Sequence, residues 1–383
     1  MKFEQLDALI CAALRGENPP WPAPGDAALA EAFLAREEYH GVQTLLHERL
    51  CNVEGWPGAI LQRLREQAIA QAMWEMRHQQ VLTEVLAKLA NIGIRPVLFK
   101  GTALAYSLYD NPVLRARGDT DFIIAPADKA RVVDALASLG FKRFTAASRD
   151  FSSYQAAYTL QVEGGGGHTL DVHWRINDSE LLSRLFSYDE LREQATPLPI
   201  LSPHALAAGP VHALLLACMH RAMHMETPYY ADGVAYFSGN RLIWLYDIHL
   251  LAQSLSADEW DEFSVIAESK GLRAVCQDAV GRTRACFHTA VPESVLAALA
   301  KPGPTETVSG YLNASITKRH WLDFRAIEGT TGKLRLIREL LFPSAVFMRG
   351  RFPDAKFKWL PWLYARRFFG GVRMRLERER RTP

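Results

Sequence analysis

Two aspartates separated by one residue, Asp119 and Asp121, stand at the head of an apolar run, Phe122-Ile123-Ile124. Side chains at i and i+2 of a strand point to the same side, so the pair sets two carboxylates on one face. A third, Asp171, lies between Leu170 and Val172 in the alternating segment Thr169–Trp174. Aspartate is a poor strand former, and crowded carboxylates raise one another's pKa unless something neutralises them. The usual neutraliser is a hard divalent cation, typically Mg²⁺. A cap or turn would account for one aspartate of the pair, and a solvent-facing edge strand for Asp171. Against the edge-strand reading, Leu170, Val172 and Trp174 form a firm opposite face, which puts Asp171 on the side of Thr169 and His173.

The segments around these residues read as strands and short helices. Pro96–Phe99, Asp121–Ile124, Phe141–Phe144, Tyr154–Val162 and Thr169–Trp174 have strand character, with helical stretches at about Thr102–Tyr109 and Ala127–Leu139. Gly164–Gly167 joins two alternating strands and reads as a hairpin tip rather than a phosphate loop. Residues before and after are helical in pattern: Ala27–Leu50, Ala59–Ile92, Pro203–Met225, Arg241–Leu255 and Asp258–Lys270. The expected fold is α+β, a small mixed β-sheet core flanked by N-terminal and C-terminal helical regions. The expected divisions are 1–93, 94–200, 201–300 and 301–383.

At the end of the first strand come Lys100, Gly101 and Thr102. Glycine there lets backbone approach a phosphate, and a helix N-terminus offers free N–H groups; a plain tight turn is the alternative. Lys100 would pair with a phosphate or with Asp119 or Asp121. Arg115 and Arg117 precede the acidic pair, and either hold phosphates or brace the loop. His220 and His224 stand at i, i+4 on a helix, a spacing that suits zinc, but no matching Cys or Glu accompanies them, so a polar stripe facing the sheet is the expectation. Asp247 is a lone carboxylate in an apolar helix and needs a partner, sought among His220, His224 and Arg241.

Charge is uneven. Residues 301–383 hold 18 Lys and Arg against 7 Asp and Glu, a balance of +11, which leaves −9 for residues 1–300 of the whole-chain +2. The aromatics of this tail favour its packing on the acidic remainder, with nucleic-acid binding or membrane association as other readings. Five scattered cysteines without a CxxC pair suit reduced thiols in a cytoplasmic protein. No secretory signal is read at the N-terminus, and no apolar run nears the roughly 20 residues of a membrane span.

Together these residues resemble the polymerase-β-type nucleotidyltransferase superfamily, whose signature is Gly-Thr after a strand, Asp-x-Asp, and one aspartate in a later strand. The closer likeness is to its uncharacterised bacterial branch, through Phe99-Lys100-Gly101, Arg117-Gly-Asp119-Thr-Asp121, Leu170-Asp171-Val-His173-Trp174, His220–His224 and Trp244-Leu-Tyr-Asp247. The gap from Gly101 to Asp119 is longer than usual, and Thr102 stands where Ser or Gly is common.

The resemblance implies a metal-dependent transfer of NMP from an NTP, such as ATP, to an acceptor hydroxyl or phosphate. Asp119 and Asp121 would hold two Mg²⁺ ions, or Mn²⁺ in their place. Asp171 would bind the metal that activates the acceptor hydroxyl and help remove its proton. Lys100, Gly101, Thr102, Arg115 and Arg117 would serve the nucleotide, and His173, His220, His224, Arg241 and Asp247 would stand behind the metal or at the acceptor. The acceptor is left open among a small molecule, a sugar phosphate, a peptide natural product and a protein. The readings from other classes are a nucleotide-binding or scaffold protein without turnover, and a nucleic-acid binder acting through the basic tail.

Overall fold

A computed structural model describes residues 3–144, 153–162, 166–226, 229–231, 234–236, 240–300, 306–343, 345–352 and 359–379. Four helices open the chain: α1 (Phe3–Leu14), α2 (Ala27–His40), α3 (Gln43–Leu50) and α4 (Gly58–Asn91). The periodic stretch 27–50 is therefore two helices, because Gly41 takes the left-handed conformation with φ +69°. The positive φ favours glycine there, and a Cβ would also lie 2.7 Å from the Arg241 guanidinium, so the end of that side chain would have to move.

A sheet follows, built from β1 (Val97–Phe99), β2 (Asp119–Ile123), β3 (Lys142–Arg143), β4 (Gln155–Gln161), β5 (Gly167–His173), β6 (Thr196–Pro197) and β7 (Leu206–Ala207), with α5 (Lys100–Ser107), α6 (Lys129–Ser138) and α7 (Tyr188–Glu193) between them. Its order is β3-β4-β5-β2-β1-β7-β6. β2 runs parallel to β5 and antiparallel to β1, and β4 and β5 form an antiparallel hairpin. Gly164 and Gly165, of the expected glycine tip, lie outside the described residues. The fold class is thus the expected α+β. β6 and β7 escape a sequence reading because two residues carry no alternation; β7 brings residues beyond 203 into the sheet through the pairing of Ala207 with Leu98.

The two faces of the sheet bury different layers. Leu98, Phe122, Leu170 and Val172 pack on the α4 residues Leu82, Val85, Leu86 and Leu89 and on α6. Val97, Phe99 and Ile123 face α8 (Pro210–Glu226) and the helices α9 (Leu242–Ser254), α10 (Ala257–Ser269), α11 (Arg273–Phe287) and α12 (Glu293–Leu299). A third core joins α1–α4 to Leu242–Tyr246 of α9 and Phe287 of α11. The N-terminal helices are therefore not a unit apart: α9 shares their core. His40 accepts a hydrogen bond from Leu242 N at 3.1 Å and bonds Asp7 at 2.8 Å.

The basic tail departs from expectation. α13 (Thr307–Leu312) buries Val308, Tyr311 and Leu312 in the main core, and Asp323 of α14 (Ile316–Ala326) accepts hydrogen bonds from Ser179 and Tyr311. Beyond these come α15 (Thr330–Leu341), α16 (Ala345–Arg351) and α17 (Leu360–Glu379). Met348 and Leu363 form a small separate core there, while Trp321, Trp359, Trp362, Phe368 and Phe369 are exposed. Packing on the body thus holds only to about residue 327 of the tail. Past that point the aromatics either face water or join the tail's own core.

Glu37 of α2 is wholly buried, and neither carboxylate oxygen has a well-formed hydrogen bond. Burial pushes its carboxyl up to about 8, with the Gln67 amide beside it pulling partly back. A neutral acid carries its own donor and suits such a site. Because the folded pKa lies above the unfolded one, folding is opposed increasingly as pH rises from the unfolded value towards the folded one. Glu37→Gln should therefore raise the Tm, little at about pH 5 and most at about pH 8. Thermal unfolding across that range checks this; an equal gain at both ends would contradict a neutral Glu37.

Candidate active site

The register of β2 builds the site. Asp121 is level with Phe99 on β1 and with Asp171 on β5, and Asp119 with Thr169. Asp119, Asp121, Thr169, Asp171 and His173 therefore share the front face by strand alternation. Thr120 and His168 point back towards α4, where His78 hydrogen bonds both, at 2.6 Å to Thr120 and 3.2 Å to His168. Asp119, Asp121, Thr169 and Asp171 floor a cavity of about 1140 Å³ walled by α3 and α4 on one side and α8 and α9 on another, while His173 lines a smaller cavity that shares Lys100, His220 and His224 with it.

The three carboxyls differ in state. Burial would raise Asp121, but the Lys100 ammonium at 2.5 Å and a hydrogen bond from His173 at 3.1 Å hold it well below the usual range. Burial and the Asp121 charge push Asp119 up to about 6. Burial and the charges of Asp121 and Asp119 push Asp171 up to about 7. Removing Asp121 would therefore relieve both neighbours, although Lys100 and His173 already offset its own charge. Lys100 reaches Asp121 from a backbone with φ +59°, strained for a residue with a side chain by about 1–3 kcal/mol.

One ligand atom from each of Asp121, Asp171 and His173 lies within 4.8 Å of the other two, the metal-compatible cluster among the described residues. Asp119, two residues along the same face, lines the cavity beside it. His173 Nδ1 is buried without a partner, and burial lowers the pKa of the ring.

The other anticipated residues fall into two groups. Lys100 and Gly101 line the cavity, and a Cβ at Gly101 would meet Arg117 and Arg115 at 3.5–3.9 Å, ordinary contact. Thr102 is fully buried: its hydroxyl donates to Asp119 O, bonds Thr120 and receives Arg117 Nε. Arg117 also donates to Glu75 at 2.7 Å and to the carbonyls of Pro112 and Arg115. Arg115 donates through Nε and Nη2 to Asp247, and through Nη1 to Ala116 O. Both arginines reach the cavity wall and brace the loop, and the Thr102 hydroxyl is buried and already engaged with Asp119, Thr120 and Arg117.

Asp247 is correspondingly partnered by Arg115 and by the Tyr109 hydroxyl at 2.8 Å, instead of by His220, His224 or Arg241. Arg241 donates to Tyr39 O at 2.8 Å and lies over the Trp244 ring. His220 and His224 pack on each other and on Trp244 and line the cavity; burial takes His220 well below its usual pKa, which keeps it neutral.

Glu75, His78, Tyr106, Tyr109 and Thr120 form the frame behind the acidic loop, and none stood out in the sequence. Glu75 and His78 lie on α4, where a polar residue at an inward position was the one available signal. Gln43, Gln67, Gln71 and Trp74 line the same cavity from α3 and α4. Gln43 Oε1 and Gln71 Nε2 are buried without partners.

Residues 26–288 match the family described as uncharacterised nucleotidyltransferase, well over half of the chain, and the chain belongs to that family. No curated protein matches it. Among solved structures, an antigenic nucleotidyltransferase-like protein from Paracoccidioides brasiliensis is 16% identical, with 55% of this chain and 96% of that one covered and a TM-score of 0.32. A likeness at that level carries no argument.

The Arg115–Asp247 pair ties the acidic loop to α9, and both side chains are under a tenth exposed. Removing one partner of a buried pair leaves an uncompensated charge, at a cost of about 3–5 kcal/mol. Asp247→Asn should lower unfolding stability by about that amount, measured by urea denaturation. A change under about 1 kcal/mol, the range of exposed pairs, would show that the pair does not hold the loop.

Proposed function

We propose that the cavity binds a nucleoside triphosphate with a divalent cation and passes its nucleotidyl group to an acceptor hydroxyl or phosphate, releasing pyrophosphate. Membership of a nucleotidyltransferase family supports nucleotidyl transfer in general. The observation that carries the finer reading is the strand register that sets Asp121 beside Asp171, with Asp119 on the same face, at the floor of an open cavity.

The residues fit a cation. Ligand atoms within 4.8 Å of one another suit an ion bound at roughly 2.0–2.6 Å from each oxygen. Burial first, and the neighbouring carboxylates second, raise Asp119 and Asp171, and a bound cation would offset both. Carboxylates favour Mg²⁺ or Mn²⁺, whereas imidazole suits other metals better. His173 is therefore assigned to orienting Asp121, the group it already holds. When bound, the cation would neutralise the triphosphate and polarise the phosphorus under attack.

The chain's own groups would do the rest. Lys100, now on Asp121, is placed to turn its ammonium to the triphosphate as a point charge. Gly101 lines the cavity at the start of α5, where a helix N-terminus offers N–H groups to phosphate oxygens. Asp171 would take the proton of the acceptor hydroxyl as its oxygen bonds the α-phosphorus and the bond to pyrophosphate breaks. The cavity, at about 1140 Å³, exceeds the roughly 300–1,000 Å³ of a pocket for one small ligand, which supports two reactants side by side. The amides of Gln43, Gln67 and Gln71 give the α3–α4 wall hydrogen-bonding capacity for one of them.

The test is incubation with each α-labelled NTP and Mg²⁺, with and without cell extract. Wild type should transfer label, and EDTA should stop it. Asp121→Asn should lower transfer by roughly 10²-fold or more and weaken Mg²⁺–NTP binding by calorimetry. Asp171→Asn should lower kcat far more than it weakens NTP binding. Calorimetric affinity for Mg²⁺–NTP unchanged in Asp121→Asn would remove the aspartate from the ligand set and sink the mechanism.

A further inference from the structure

The helices α15–α17 lie beyond the family match, which ends at residue 288, and the proposed transfer does not use them. Among the described residues their interior is small. Leu363 of α17 and Met348 of α16 are fully buried against each other, the Phe342 ring meets Tyr364, and the Tyr364 hydroxyl donates to Pro343 O at 2.8 Å. This core leaves two apolar stripes outside it. On α15, Leu334, Ile337 and Leu341 recur at i, i+3 and i+7 and are all exposed, Leu334 by 65%. On α17, Trp362 and Phe369 stand at i and i+7 with Arg366 between them, and Trp359 precedes them; Trp359 and Phe369 are 69% and 68% exposed.

Charge accompanies the stripes. Residues 330–369 contain nine Lys and Arg against two acidic residues, Glu339 and Asp354. Arg366 lies over the Phe352 ring, a long cation with its stem on apolar surface. Helices with a Trp, Phe and Leu face beside many Lys and Arg lie in the plane of a membrane interface. No helix among the described residues is long and apolar enough to cross a bilayer, so such helices would lie on it.

We propose that α15–α17 form an interfacial module that docks on an anionic lipid surface, with the Leu334 and Trp362 stripes at the acyl boundary and the cations on lipid phosphates. The chemistry favours lipid over other occupants. The aliphatic side chains of Leu334, Ile337 and Leu341 offer nothing to stack on a base. A second copy of the module would bring like charge against like. The aromatics Trp359, Trp362, Phe368 and Phe369 are exposed rather than packed on the acidic body.

The experiment is co-sedimentation of the full chain with vesicles of phosphatidylcholine alone and with vesicles containing about a third phosphatidylglycerol. Binding should need the anionic lipid, weaken with added salt, and shift tryptophan emission to the blue. The triple variant Trp359→Ser, Trp362→Ser, Phe369→Ser changes only exposed side chains and should lose binding while keeping its Tm. Arg366→Ala with Arg367→Ala should weaken binding by roughly fivefold per charge, about 25-fold together. Absence of binding to anionic vesicles overturns the proposal, as does binding that the triple variant leaves unchanged. RNA binding without vesicle binding would reassign the surface to nucleic acid. A dimer that the triple variant dissociates, again without vesicle binding, would reassign it to a second copy.

Discussion

The pairing of β2 with β5 is parallel and in register, and the chemistry of the front face depends on it. Asp121 comes level with Asp171, and Asp119 with Thr169. A slip of one residue would turn Asp121 and Asp119 into the apolar layer against α4 and bring Phe122 into the cavity. That slip is opposed from both sides. Phe122, Leu170 and Val172 are buried on α4 and α6, and Phe99 and Ile123 on the helices in front. Two cores therefore clamp one sheet, and the carboxylates occupy the place where the front core gives way to a cavity.

Polar groups behind the sheet hold the acidic loop with comparable firmness. Arg117 joins Glu75 of α4 to Thr102 of α5, Thr102 bonds the carbonyl of Asp119, and Thr120 bonds His78. Arg115 joins the same loop to α9 through Asp247. Buried networks of this kind stabilise only when their members are satisfied, and most hydrogen-bonding groups here have partners. The consequence for chemistry is electrostatic. Two of the cations near the aspartates are committed to other carboxylates, and Lys100 alone among these three touches the acidic cluster. Asp119 and Asp171 are left with raised pKa values and an appetite for further positive charge.

The helical regions are less separate than their positions along the chain imply. Gly41 lets α2 end close against Arg241, whose Nε bonds Tyr39 O, so α9 is fastened to the N-terminal helices on one side while its Asp247 reaches the acidic loop. The cavity is bounded by pieces of α3, α4, α8 and α9 that are distant in sequence. The tail follows a different rule. Its first two helices join the main core, whereas the later ones bury their own small centre and present basic and aromatic residues outward.

The strand–helix–strand opening, the paired aspartates and their common face were legible in the sequence because alternation and composition are local. So was Asp171's side, which its apolar neighbours decide. Short strands such as Thr196–Pro197 and Leu206–Ala207 were not, since two residues have no period. Partners were the larger loss. A guanidinium at 115 or 117 suits a phosphate as well as a carboxylate, and only packing brings Asp247 and Glu75, 132 and 42 residues away, into contact with them. The same holds for Thr102, whose hydroxyl was free to serve a ligand until burial engaged it with its neighbours. The sequence by itself determined the acidic chemistry and the α+β class, because these rest on residue type and short-range periodicity. The tertiary structure decided which cations answer which carboxylates, and which aromatics of the tail stay at the surface, because those outcomes depend on which distant elements reach each other first-hand in three dimensions.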